Sequence, residues 1–512
     1  MAKAVEIPSG QSQSAVAKKK PWLMIAAASL VVIAALAGGL RYYRSRQTPK
    51  LTAQDTVVIG DFANSTGDAV FDHTLKTALT VALTQSPFLN VLSDNKVAQT
   101  LKLMTRPADT RLTPEVVREL CLRSNSKAYI VGSIDSLGSQ YVLALKAVNC
   151  RSGEPLAQEQ ATANGKEQVL NSLGAATAKL RNAMGESLAT VQKFDVPLEQ
   201  ATTSSLEALQ AYSQGIRNRD QKSNASALPY YLRAIQLDPK FAMVYHAVGD
   251  YYFALSQLAR ADEYYAKALE LREHASEREK LLITSDYYSS VTGELDKAAQ
   301  AYEDMIANYP RDGAGYGNLG TVYSSQGRYE EALEITQQQQ RLEPGILAPY
   351  TNIADFYLAL GRLEQSRAEI HDALGRKMDD PIFHMALYAL AFLSNSSAAM
   401  AEQQQWFAAN ADSEHFGLSL AADTEAYAGR LDKAGEFTRR AVDSAIRADS
   451  KESAATWWQN AALRAAAFDN KSEARQAAET GLKLYPDSQG VRVEAALAYA
   501  MAGDSERGHA MA

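Results

Sequence analysis

Residues 245–268 read YHAVGDYYFALSQLARADEYYAKA, and residues 316–344 read YGNLGTVYSSQGRYEEALEITQQQQRLEP. Laid over one another, they share an order: an aromatic (Tyr245, Tyr316), a glycine (Gly249, Gly320), a second aromatic (Tyr252, Tyr323) and an alanine (Ala261, Ala332). The small residue recurs. Ala227 to Ala261, Ala298 to Ala332 and Ala332 to Ser366 are each 34 positions, whereas Ala261 to Ala298 is 37. A period of this length predicts stacked helical hairpins, none of which buries a core alone. The longer interval predicts an extended second helix or loop in that unit.

The anchors over residues 206–344 match the tetratricopeptide-repeat pattern. That resemblance implies an all-α solenoid whose first helices line a groove for an extended peptide or a partner's helix. Well-matched repeats are expected over 206–378, degenerate hairpins over 379–503 and a short tail over 504–512, about eight hairpins and an end helix. Candidate groove residues are Asn318, Tyr350, Asn352 and Asp355. Trp457 and Trp458 are adjacent and cannot share a helix face, so Trp458 is expected to pack and Trp457 to be exposed as a binding surface.

Composition narrows the function classes. The 512 residues exceed one ordinary core, and 46% hydrophobic content excludes a mostly disordered chain. With 52 basic and 59 acidic residues and a net charge of -7, nothing favours nucleic acid. Two cysteines, Cys121 and Cys150, are too few for a typical structural zinc site. They are either two buried thiols or, in an oxidising compartment, one disulfide.

Residues 1–20 are a polar tail ending in Lys18, Lys19 and Lys20. Residues 21–40, PWLMIAAASLVVIAALAGGL, carry no charge. Twenty helical residues span about 30 Å, so a single-pass anchor is expected rather than a cleaved signal peptide or a buried helix.

Residues 55–190 alternate strand and helix patterns. TVVIGDF (56–62) is a strand, and Val70–Leu83 carries apolar residues at helical spacing. Helices follow over 94–104 and from Thr113-Pro114-Glu115, with strands over 127–137, 140–148 and 155–162 and a closing helix over 166–188. This order predicts a small mixed α/β domain. Its turn Asn64, Ser65, Thr66 and Gly67 stands at the end of a strand, with either a plain turn or backbone amides offered to an anion. No Walker or dinucleotide glycine pattern is present, and no cofactor or metal is expected. Residues 191–205, with Pro197 and a Thr-Thr-Ser-Ser cluster, read as a linker.

The runs DTVVIGDFANSTGDAVFDHTLKTALTVALTQSPFLNVLSDNKVAQTLKLM (55–104), LTPEVVRELCLRSNSKAYIVGSIDSLGSQYVLALKAVNC (112–150) and GEPLAQEQATANGKEQVL (153–170) resemble the region beyond the membrane helix in large bacterial serine/threonine kinases, best known from Acidobacteria. In that family a domain similar to the N-terminal domain of TolB-like proteins precedes tetratricopeptide repeats. The resemblance spans roughly 50–345. Here about twenty residues precede the apolar segment, with no glycine-rich loop, HRD or DFG, so kinase activity is not carried over. The resemblance implies a bacterial inner-membrane protein with its N-terminus cytoplasmic and its bulk periplasmic. The function expected is a non-enzymatic, membrane-anchored protein-binding scaffold. The alternative is a sensory module whose α/β domain binds a small ligand and signals through a partner.

Overall fold

The computed structural model describes residues 51–221, 224–254 and 257–511. The sheet begins with β1 (Thr56–Ile59), whose apolar residues alternate between two cores. Val57 and Ile59 face one helical layer and Val58 faces the other, because successive strand side chains point to opposite sides. After β2 (Ala63–Asn64), α1 (Thr74–Thr84) covers the first face. β3 (Asn90–Val91) leads to α2 (Asp94–Leu103) and α3 (Pro114–Arg123), which cover the second. β4 (Ala128–Leu137), β5 (Gln140–Asn149) and β6 (Pro155–Ala163) complete the order β3-β1-β4-β5-β6, with β2 on β4. β1 runs parallel to β3 and β4, and the last three strands are antiparallel. α4 (Val169–Met184) closes the first face with Leu173, Ala176 and Leu180.

Residues 191–205 are folded and pinned. α5 (Leu188–Phe194) and α6 (Leu198–Ala201) occupy most of this stretch. The fully buried Arg181 pairs with Glu186 at 2.8 Å and with Asp195 at 3.0 Å. The Gln85 side chain and the Val196 backbone exchange hydrogen bonds at 3.1 and 2.7 Å.

Helical hairpins follow: α7 (Leu206–Gln221) with α8 (Asn224–Leu237), α9 (Ala242–Ala254) with α10 (Leu258–Glu270), α11 (Glu277–Tyr287) with α12 (Leu295–Asn308), and α13 (Gly313–Ser325) with α14 (Tyr329–Leu342). Next come α15 (Ala348–Ala359) with α16 (Leu363–Gly375), α17 (Pro381–Leu393) with α18 (Ser397–Ala409), α19 (Glu414–Tyr427) with α20 (Leu431–Arg447), and α21 (Lys451–Ala467) with α22 (Lys471–Leu484). α23 (Gln489–Met501) and α24 (Ser505–Met511) end the array, so the expected tail is helical. Glycine permits the close approach inside a hairpin. A Cβ on Gly249 would meet the Tyr265 ring at 2.7 Å. The 37-residue interval is explained by the 3-10 turn Arg272–His274 between α10 and α11.

The first hairpins continue the sheet domain's core. Leu206, Leu209, Tyr231 and Phe241 belong to the same buried cluster as Val57 and Leu173. Thr77 Oγ1 donates to Ser213 Oγ at 2.9 Å, and Lys166 bridges Asp68 and Glu207 at 3.1 and 3.0 Å.

One expectation requires correction. The membrane span at 21–40 lies outside the described residues. Among the described residues, no helix is long and apolar enough to cross a membrane. The longest, α20 and α21, have 17 residues, where a span needs about 20 mostly apolar ones, and both carry charges. The fold class is therefore an α solenoid preceded by a small open-sheet domain. Membrane anchoring, the membrane as a partner and the inner-membrane and periplasmic placement have no support and drop out of the functional reading.

Candidate functional site

Several neighbouring first helices of the hairpins touch one another, as α9 does α11, α13 does α15 and α15 does α17, whereas neighbouring second helices do so less. The first helices therefore stand on the inside of the curve, and their outward faces form its concave wall. On that wall the sequence places a polar cluster. His246 and Asp250 are one turn apart on α9, and Asp286 comes from α11. His246 Nε2 lies 2.6 Å from Asp286 Oδ2, and its Nδ1 lies 3.4 Å from Asp250 Oδ2. The Tyr265 hydroxyl of α10 donates to Asp250 Oδ1 at 2.9 Å. The Tyr302 hydroxyl of α12 donates to Asp286, and the Asn318 amide of α13 reaches the same carboxylate at 3.5 Å. Three successive repeats are tied together here.

Repeat register explains why these residues meet. Gly215, Gly249 and Gly320 each stand 12 residues before the recurring alanine (227, 261, 332), and Asp286 stands 12 before Ala298. Asp286 thus occupies the small-residue position, where Gly249 accepts the face of Tyr265. Tyr302 is the equivalent ring in its own hairpin and meets a carboxylate instead. Beyond Asp286 the helix widens into a π turn, Tyr288–Thr292, ended by Gly293 at φ +67°. Such turns accommodate a local misfit in a helix.

The electrostatics follow from burial and pairing. Burial by itself pushes the His246 imidazole down, but the carboxylates of Asp250 and Asp286 more than reverse this and raise it to about 9. Burial holds Asp250 above the usual carboxylate range despite the attraction of His246. Half of its side chain (51%) stays open to the groove, so solvent screening limits that rise. At neutral pH the imidazole therefore keeps its proton and lies between Asp250 and Asp286, which also accept from the Tyr265 and Tyr302 hydroxyls. Among the described residues, this is the one group of three metal-ligating side chains with donor atoms within 4.8 Å of one another. A protonated imidazole offers a metal no lone pair, so a cation would have to displace the proton.

The anticipated groove residues divide. Asn318 is in the cluster. Asp355 on α15 is exposed and stands 11 residues before Ser366, as Asp250 stands 11 before Ala261. Burial of its surroundings and the nearby charge of Asp380 raise it to about 6. Asn352 is half-buried on α15, at the position equivalent to Asn318. Tyr350 is not a groove residue. It is 1% exposed, packs with Ile370 and Phe383, and its hydroxyl donates to the Pro344 carbonyl at 3.0 Å. Trp457 is half-buried rather than exposed, with its indole N–H directed at His415 Nδ1 at 3.3 Å and its ring edge-on to Phe416. The groove also exposes Thr321 and Phe253, the latter by 49%, and neither was singled out from sequence.

In the α/β domain the turn 64–67 uses its own polar groups. Asn64 Oδ1 accepts from the Thr66 amide at 3.0 Å, Thr66 Oγ1 accepts from the Asp68 amide at 3.1 Å, and the Ser65 amide is given to Ile134 O at 3.1 Å. Asp68, paired with Lys166, adds negative charge beside the turn. Cys121 on α3 and Cys150 after β5 are both buried and joined as a disulfide, with Cα atoms 6.1 Å apart.

Tetratricopeptide-repeat sequence profiles match residues 301–334 and 243–274. No curated protein matches the chain. Solved structures similar to it include PilW, a type IV pilus biogenesis factor (15% identity, 40% of this chain and 93% of that one, TM-score 0.32). A thermophilic tetratricopeptide-repeat protein from Thermus thermophilus, TTC0263, gives 18% identity over 36% of this chain and 99% of that one, TM-score 0.32. A tetratricopeptide-repeat protein from Parabacteroides merdae gives 14% identity over 46% of this chain and 93% of that one, TM-score 0.33.

Proposed function

Because the chain is a tetratricopeptide-repeat protein, we propose that it is a scaffold that holds a protein partner as an extended segment along its concave wall. Its role is non-enzymatic. The observation that carries the proposal is the wall itself. Polar groups from successive first helices, Asp250, Asn318, Thr321 and Asp355, and the exposed ring of Phe253 face one groove. Such a wall offers hydrogen-bonding partners to a peptide backbone and an apolar seat to one side chain. The His246 cluster holds three of the first helices in one register, so the groove is preorganised and a partner loses less of its binding energy to ordering the protein.

The finer kinship, with the sensor half of acidobacterial kinases, rests on the sequence runs quoted above alone. It would make the sheet domain a sensing end attached to the scaffold.

Peptide display selected on the whole chain tests the groove. Peptides that bind the native protein are expected to lose at least about ten-fold in affinity on Thr321→Arg or Asp355→Arg. They are expected to be unaffected by Glu334→Arg on the second-helix face. Equal loss on the Glu334 variant, or none on the groove variants, would place binding elsewhere.

A further inference from the structure

A second concavity lies where the sheet domain meets the solenoid. It is a cleft of about 510 Å³, bounded by the β3 edge and the start of α2 on one side. On the other side are the turns joining the third, fourth and fifth hairpins, Tyr309–Gly313 and Arg341–Ile346. The two sides are tied across it. Gln99 donates to the Gly345 carbonyl, and Arg311 donates to the Ala53 carbonyl at 3.3 Å and to Thr56 Oγ1 at 3.5 Å. A volume of this size at a domain junction is what a small-molecule site requires.

We propose that this cleft binds a small organic anion, an apolar body carrying one phosphate or carboxylate group.

The lining supports both halves of that description. Ile59, Leu89, Val91 and Leu92 supply apolar surface from the sheet side. Three cations line the cleft without a carboxylate partner among the described residues. Arg311 donates to neutral oxygens, Arg341 makes one hydrogen bond to the Gln338 amide oxygen at 3.2 Å, and the Lys96 ammonium makes none. The acidic side is weaker. Asp312 is bound to Arg278, and burial together with the charge of Asp312 holds Glu343 above the usual carboxylate range. Asp94, at the start of α2, is the remaining carboxylate on the lining. The first turns of α2 and α13 both line the cleft, and helix N-termini favour negative charge.

The cations and the apolar floor together describe an anionic group on an apolar body. Phosphate and carboxylate share that chemistry, and the probes below separate them.

The test is calorimetric titration of the full chain with phenyl phosphate, benzoate, benzyl alcohol and inorganic phosphate. Saturable binding of phenyl phosphate or benzoate, with none for benzyl alcohol, is the expected result. Whichever of the two binds identifies the anionic group. Lys96→Gln and Arg341→Gln are each expected to weaken it about ten-fold, with an unchanged circular dichroism spectrum. Absence of saturable binding by both organic anions would overturn the proposal, as would binding that the two variants leave unchanged. Inorganic phosphate binding as tightly as phenyl phosphate would overturn the apolar body.

Discussion

Replacing His246 with glutamine and following stability from pH 6 to pH 10 tests the cluster on the concave wall. In the folded chain the imidazole is raised to about 9 by Asp250 and Asp286, against burial. In the unfolded chain it returns to about 6.5. The native state therefore holds the proton more tightly. Its contribution is complete below about pH 6.5, shrinks through the interval and is gone above about pH 9 to 10. A difference of about 2.5 units at 1.36 kcal/mol per unit comes to about 3 kcal/mol. His73 and His415, which burial holds below the usual histidine value, titrate on the acid side of this window. Both cysteines are bonded and do not titrate. The assay is urea unfolding monitored by circular dichroism at pH 6.5, 8 and 9.5, with hydrogen exchange reading α9 and α11, because repeat arrays need not unfold in one step. The native protein should lose about 3 kcal/mol across the window, and His246→Gln should give a flat profile. Parallel profiles for the two proteins would refute the imidazolium between carboxylates.

Three further outcomes are expected. Gly249→Ala places a methyl 2.7 Å from the Tyr265 ring. It should cost about 1–3 kcal/mol in urea unfolding, and Gly249→Leu more. Reducing the Cys121–Cys150 bond, which closes a separation of 29 residues, should lower the stability of the sheet domain by about 3–4 kcal/mol; an unchanged urea midpoint in dithiothreitol would count against the bond. Arg181→Met leaves Glu186 buried without its cation and should cost about 3–5 kcal/mol, read as a lower thermal midpoint. The double variant Arg181→Met, Glu186→Leu should recover part of that loss.

The 34-residue spacing and the Gly249 and Tyr265 anchors made the hairpins legible, because one packing requirement repeats and each repetition reinforces the pattern. TVVIGDF was readable as a strand because its apolar residues serve cores on both faces. The groove was harder. Tyr350 has the aromatic character of a binding residue, but its hydroxyl is satisfied by the Pro344 carbonyl, and a sequence does not display such a bond. Trp457 was expected in solvent and instead lies against His415 and Phe416 from the preceding hairpin. The cluster was missed because Asp286 breaks the rule that finds repeats. Counting back 12 residues from Ala298 would have exposed a carboxylate where Gly249 and Gly320 stand, the one available signal. The disulfide was undecided because the β4–β5 hairpin, not chain spacing, brings Cys150 under Cys121. The cleft depends on how sheet and solenoid meet, which a one-dimensional pattern does not specify.

The continuity of the sheet domain's core into the first two hairpins makes the array unequal at its ends. In a row of units coupled only to their neighbours, a unit with small interfaces opens before the rest. At the first hairpin the sheet adds an interface, as a capping repeat would. Toward the C-terminus the clusters are small and dominated by alanines such as Ala454, Ala462, Ala478 and Ala495, which exclude less water per residue than the tyrosines and leucines of the first hairpins. Opening should therefore be easier in these alanine-rich hairpins than in the two that share the sheet's core. A partner seated along several first helices would act against that fraying from within, so its occupancy and the persistence of the C-terminal hairpins should rise and fall together.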